Sequence, residues 1–112
     1  MGEDERTDVL GRLERIGYVD DRRFAAARAG GLAERGYGDA AIRRALEREG
    51  VGADDLEEAL GALEPEGDRA AALVARHGRT AKTAALLARR GFDHDAVEAA
   101  LGGALHEDGP AR

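Results

Sequence analysis

The stretch ALEREGVGADDLEEALG (45–61) returns without a gap as LLARRGFDHDAVEAALG (86–102). Leu46/Leu87, Arg48/Arg89, Gly50/Gly91, Asp54/Asp95, Glu57/Glu98, Ala59/Ala100, Leu60/Leu101 and Gly61/Gly102 are identical, while Val51/Phe92 and Leu56/Val97 match in character. A third, partial echo is LERIGYVDD (13–21). A repeat of this length marks a supersecondary unit that cannot bury its apolar face alone and must stack on its neighbour. That requirement constrains the fold more than any other feature of the chain.

The unit reads as three helices. In the central copy they cover about 20–35, 39–49 and 53–63, and in the last copy about 66–77, 80–90 and 94–105. One more, at about 7–16, precedes them, with Thr7 as N-cap and Val9, Leu13 and Ile16 on one face. Asp20 and Asp21 suit the start of the next helix, where the helix dipole favours acid. Gly36, Gly50, Gly78 and Gly91 fall where left-handed C-cap residues should stand. No segment alternates with period two, so the fold class is all-α. The expectation is about seven helices in tandem triplets, forming an elongated, slightly curved, right-handed-type array. Residues 1–6 and 106–112 are expected to be flexible ends. Residues 7–105 form one domain, with a partial first repeat (7–19), a second (20–63) and a third (64–105).

Composition bounds the rest. Half of the 48 hydrophobic residues are alanine, so the core is thin and suits close-packed helices better than a cofactor cavity. Cys, Ser, Asn, Gln and Trp are absent, which removes disulfides, thiolate chemistry and the serine nucleophile. No apolar run is long enough for a membrane helix, and the acidic start MGEDERTD has no secretory h-region. The expected location is the cytoplasm. The net charge of −6 argues at first against nucleic acid, but it is segregated. Residues 22–49 carry +3 and 69–92 carry +6, between acidic blocks at 1–21, 50–68 and 93–112.

At this point the residues resemble a known family. GYVDDRRFAAARAGGLAERGYGDAAIRRALEREGV is similar to the central repeat of the RecX regulatory proteins. The matching positions are Gly17, Tyr18, Val19, Asp20, Asp21, Phe24, Ala25, Gly36, Gly38, Ile42, Leu46 and Gly50. LLARRGFDHDAVEAAL resembles that family's closing repeat through Leu87, Arg90, Gly91 and Phe92. The resemblance runs over about 7–105 and implies three tandem three-helix repeats, with the first two helices of the first repeat missing here. It also implies modulation, usually inhibition, of the RecA recombinase by binding in the groove of its filament on single-stranded DNA. It implies no catalysis, cofactor or metal. The chain departs from the family pattern at Arg28, where a large apolar residue is usual, and at Gly30, Gly31, Leu32 and Ala33, where the family tends to be basic.

Tyr18 and Phe24 are expected to pack at the junction of two repeats. Asp20 and Asp21 are helix-capping acids in this reading, because adjacent carboxylates at a helix start are not held around a substrate with split pKa values. His77, His94 and His106 share no metal-binding spacing, and His77 suits the end of a helix. Function rests on the cations. Arg22, Arg23, Arg28, Arg35, Arg43, Arg44 and Arg48 form one set, and Arg69, Arg76, Arg79, Lys82, Arg89 and Arg90 a second. Such surfaces either track phosphates or meet acids of a protein partner, or else they are solvated faces paired with local Glu34, Glu47 and Glu49. Only Tyr37 is interleaved among them, which disfavours base stacking. The expected partner is the RecA filament, with the single-stranded DNA backbone as a second contact, and the expected state is a monomer. Two rivals remain: a helix-turn-helix reading bases through Arg43, Arg44 and Glu47, and a helical adaptor without a nucleic-acid role. Gly30-Gly31 inside a helix costs about 1 kcal/mol per glycine against Ala. Either a neighbouring helix passes very close there, or the helix bends or breaks.

Overall fold

The computed structural model describes residues 20–102. Among these the chain is wholly helical, with no strand, and forms six helices: α1 (20–34), α2 (Asp39–Arg48), α3 (Ala53–Gly61), α4 (Glu66–His77), α5 (Ala81–Arg89) and α6 (His94–Ala100). They make two triplets, α1–α3 and α4–α6. The expected helix at 7–16 and Tyr18 lie outside the described residues.

The internal repeat is visible in the backbone. After α2 the chain turns through Gly50 in the left-handed region, with Gly50 N–H donating to Glu47 O and Val51 N–H to Leu46 O. After α5, Gly91 N–H donates to Ala88 O and Phe92 N–H to Leu87 O in the same pattern. This two-bond closure satisfies carbonyls that a helix end leaves open, and it needs a residue that tolerates positive φ. All four glycines expected at C-caps have positive φ; Gly36 makes the same two-bond closure, whereas Gly78, at ψ 159°, ends α4 in an extended backbone. Two N-termini are closed by side chains: Thr80 accepts from Thr83 N–H at 3.1 Å, and Asp93 accepts from Asp95 N–H at 3.0 Å.

Each triplet holds its own apolar cluster. The first joins Ala25, Ala29 and Leu32 of α1, Ile42, Ala45 and Leu46 of α2, and Leu56 and Ala59 of α3. The second joins Ala70, Val74, Leu87, Phe92, Val97 and Leu101. The residues fall at the three- and four-residue spacings that put one stripe of a helix inward. Leu46 and Leu87, equivalent in the repeat, are both fully buried, each contributing roughly 1.5–3 kcal/mol. The sequence led us to expect stacked copies with shared cores. Instead the two clusters are separate, because glycine backbone and a buried arginine occupy the junction between them.

Phe24 is 48% exposed; the first repeat (7–19), on whose side its expected junction would form, lies outside the described residues. The inward stripe of α1 is Ala25, Ala29 and Leu32, and Phe24 stands one position outside it. Leu32 is buried as expected. At Gly30 and Gly31 no helix passes close, since a Cβ added to either would touch nothing within 4 Å, and α1 does not break there.

Candidate cationic surface and the junction of the triplets

The junction is built from two glycine turns. Gly38 N–H donates to Arg90 O at 2.8 Å, and Ala40 N–H to Gly91 O at 3.2 Å. Between them, Asp39 N–H donates to the Glu66 carboxylate at 2.8 Å. Gly38, the N-cap of α2, has no side chain to cap the helix, and the N–H groups of Gly38, Asp39 and Ala40 are satisfied by the second triplet instead. The approach is backbone to backbone. A Cβ on Gly38 would lie 2.5 Å from Phe92 N, and one on Gly91 would lie 2.7 Å from Ala41 Cβ. The motif glycines Gly36, Gly38 and Gly91 therefore belong to one contact, which neither repeat explains alone.

Two arginines fasten it. Arg69, only 9% exposed, donates Nε–H to Glu64 O at 2.9 Å and an Nη1–H to Tyr37 O at 3.0 Å, and its other nitrogen pairs with Asp39. Its guanidinium also lies over the Phe92 ring, 5.9 Å from the centroid. Arg90 donates to Arg35 O at 2.9 Å and stacks over Tyr37 at 5.5 Å. Arg69, read from the sequence as part of an exposed basic set, is thus a buried structural residue. Arg90, counted among the candidate binding residues, holds the junction. Residues missed as structural partners are Tyr37, Asp39 and Glu66. Glu66 stands three positions before Arg69 on one helix, but no local pattern announces that both reach α2.

The remaining candidate cations divide sharply. Arg28 makes a two-pronged contact with Glu49, at 3.0 Å from Nε to Oε1 and from Nη2 to Oε2. Arg22 pairs with Glu58, and Arg43 with Glu57. The hydrogen bond from Arg28 holds the Glu49 carboxyl below the usual range, opposed in part by desolvation, with the charges of Arg28 and Arg48 adding to it. Arg43 lowers Glu57 in the same way. Acids of α3 thus neutralise part of the first basic set, an assignment the sequence did not give, since Glu34, Glu47 and Glu49 were the expected partners. Only Glu49 serves.

Arg23, Arg35, Arg44, Arg48, Arg76, Arg79, Lys82 and Arg89 are exposed. Their side chains make no ion pair among the described residues. Asp20 and Asp21 are exposed at the start of the described part of α1. Ile42, Leu46 and Leu87 sit in the cores. Among the described residues no three His, Asp or Glu side chains converge to hold a metal, and no helix is long and apolar enough to cross a membrane.

The helix-turn-helix geometry meets an obstacle in this arrangement. Such motifs present the N-terminal residues of the second helix to base edges. Here the first N–H groups of α2 are bonded to the other triplet, and Arg43 is engaged by Glu57.

Residues 20–60 match the family pattern described as RecX, second three-helix domain. A regulatory protein RecX of Deinococcus radiodurans is 35% identical over 104 residues, covering 84% of this chain and 50% of that protein. Regulatory proteins RecX of Xanthomonas axonopodis pv. citri and Xanthomonas citri are each 37% identical over 102 residues, covering 82% of this chain and 63% of theirs. The chain therefore spans between half and 63% of the length of these curated relatives.

Proposed function

The chain is a relative of the RecX regulatory proteins, and on that premise we propose that it binds the RecA recombinase filament and restrains its recombination and ATPase activity. The observation that carries this reading is the match of residues 20–60 to the RecX second three-helix domain, with relatives similar over most of the chain. The protein acts by binding, as a monomer in the cytoplasm, in the setting of recombination, DNA repair and the SOS response. In this reading it has no catalytic step of its own. The unpaired cations supply the contact surface. They meet acidic protein surface and nearby DNA backbone along the filament groove, blocking duplex entry or filament growth.

The test is RecA-mediated strand exchange and single-strand-dependent ATP hydrolysis, with and without the purified protein, alongside co-sedimentation with filaments. Slowed exchange and filament binding are expected at equimolar protein. No effect and no filament binding at that ratio would overturn the reading and leave the fold untouched.

A further inference from the structure

The internal repeat allows one surface of the second triplet to be compared with its equivalent in the first. Ala84 and Ala88 of α5 share a cleft of about 240 Å³ with Phe92, Val97 and Leu101, each of these three at most 7% exposed. His94 and Glu98, four apart on α6, form its polar wall. In the repeat, Ala84 is equivalent to Arg43, Ala88 to Glu47 and Glu98 to Glu57. In the first triplet Arg43 of α2 reaches across to the Glu57 carboxylate of α3 and is half-buried in doing so. The second triplet keeps the acid and the apolar residues but has a methyl group where the arginine stood. The groove that one triplet bridges with its own side chain is left open in the other.

We propose that this α5–α6 cleft docks a segment of a protein partner that presents an arginine beside a large apolar side chain. The apolar chain enters between Ala84, Ala88 and Val97, and the guanidinium meets Glu98, repeating between two molecules the bridge that Arg43 and Glu57 make within one. Size selects the class of occupant. Small-molecule sites run from about 300 to 1,000 Å³, whereas this cleft has room for one or two side chains. Charge selects the cation, since the cleft is otherwise apolar and its only acid is Glu98. Glu98 has a contact of its own, and the roughly four lone-pair sites of a carboxylate leave room for a guanidinium fork. A helix with the two residues three or four positions apart carries both groups on one face, as helix-in-groove partners do. The inference is independent of the regulatory reading, whose contact surface is cationic and lies on other residues.

Selection of a displayed random-peptide library on the full chain, with counter-selection on Ala84→Arg, tests it. Peptides kept by the wild type and refused by the variant should carry an arginine or lysine three or four positions from a large apolar residue. Fluorescence anisotropy of a labelled peptide from that set then reads the contacts. Ala84→Arg, which restores the arginine of the first triplet, should weaken binding by about tenfold or more, the loss of one buried apolar side chain. Glu98→Gln should weaken it by about two- to fivefold, as expected for an exposed ion pair. Ala85 is exposed and outside the cleft, so Ala85→Arg makes the same charge change and should leave binding unchanged. Circular dichroism checks that each variant stays helical, and Ala88→Arg, at an exposed position, is a second block of the same cleft. No peptide enriched over Ala84→Arg, enriched peptides without a basic residue, or equal loss in Ala85→Arg would overturn the proposal. A concentration-dependent dimer lost in Ala84→Arg would overturn it in favour of a second copy of the chain. Peptides recovered only after removal of residues 103–112 would overturn it in favour of the chain's own tail.

Discussion

Glycine plays two opposite parts in this chain, and substitution separates them. At Gly38 a side chain is excluded by backbone, since an added Cβ would lie 2.5 Å from Phe92 N. Gly38→Ala is expected to cost about 1–3 kcal/mol through overpacking that cannot relax into a flexible side chain. At Gly31 nothing stands within 4 Å and the helix does not break, so Gly31→Ala should stabilise the fold by about 1 kcal/mol. For a chain of this size each kcal/mol moves the melting temperature by about 4–8 °C. Thermal unfolding should therefore move in opposite directions for the two, and equal shifts would contradict the packing described. Arg69 is the other decisive residue. Truncation to Ala strips Tyr37 O, Glu64 O and Asp39 of their donor at a site 9% exposed. A loss of about 3 kcal/mol is expected, the low end for a broken buried pair because Asp39 is 37% exposed. Arg69→Lys should not recover it, for an ammonium cannot reach three separated acceptors as the guanidinium fork does. Chemical denaturation of the three proteins checks both points.

Helices were legible in the sequence because their determinants are local. Gly36, Gly50, Gly78 and Gly91 ended helices where expected, and Thr80 and Asp93 opened the last two. The junction was not legible, since Gly38 and Gly91 carry no mark of each other across more than fifty residues. Charge partners between elements were likewise invisible, as Arg22 and Arg43 reach α3 rather than a neighbour on their own helix. Those cross-element pairs give acid stability a direction. Glu49 and Glu57 have folded pKa values lowered by hydrogen bonds from Arg28 and Arg43. Their contribution is complete above the ordinary carboxylate range and is lost as pH falls through the lowered folded values. Wild-type stability should thus fall more steeply from about pH 5 to about pH 3 than that of an Arg28→Gln, Arg43→Gln double variant. The pairs are exposed, so the difference is small and should shrink further in about 1 M salt. A salt-independent difference would show that it arises elsewhere.

Across the whole molecule, the separation of the two cores decides how the array comes apart. Each triplet keeps its own apolar cluster, and the surface between them is held by the three amide donors of α2 and by Arg69 and Arg90. Hydrogen bonds of this kind each contribute about 0.5–1.5 kcal/mol net, less than the burial that holds either core. The junction should therefore open before either triplet unfolds, as one local event with its own free energy. Native-state hydrogen exchange reads this directly. The amides of Gly38 and Ala40, bonded to Arg90 O and Gly91 O, should exchange together and faster than that of Val51, which is bonded within the first triplet to Leu46 O. Arg69→Ala should speed Gly38 and Ala40 further while leaving Val51 nearly unchanged.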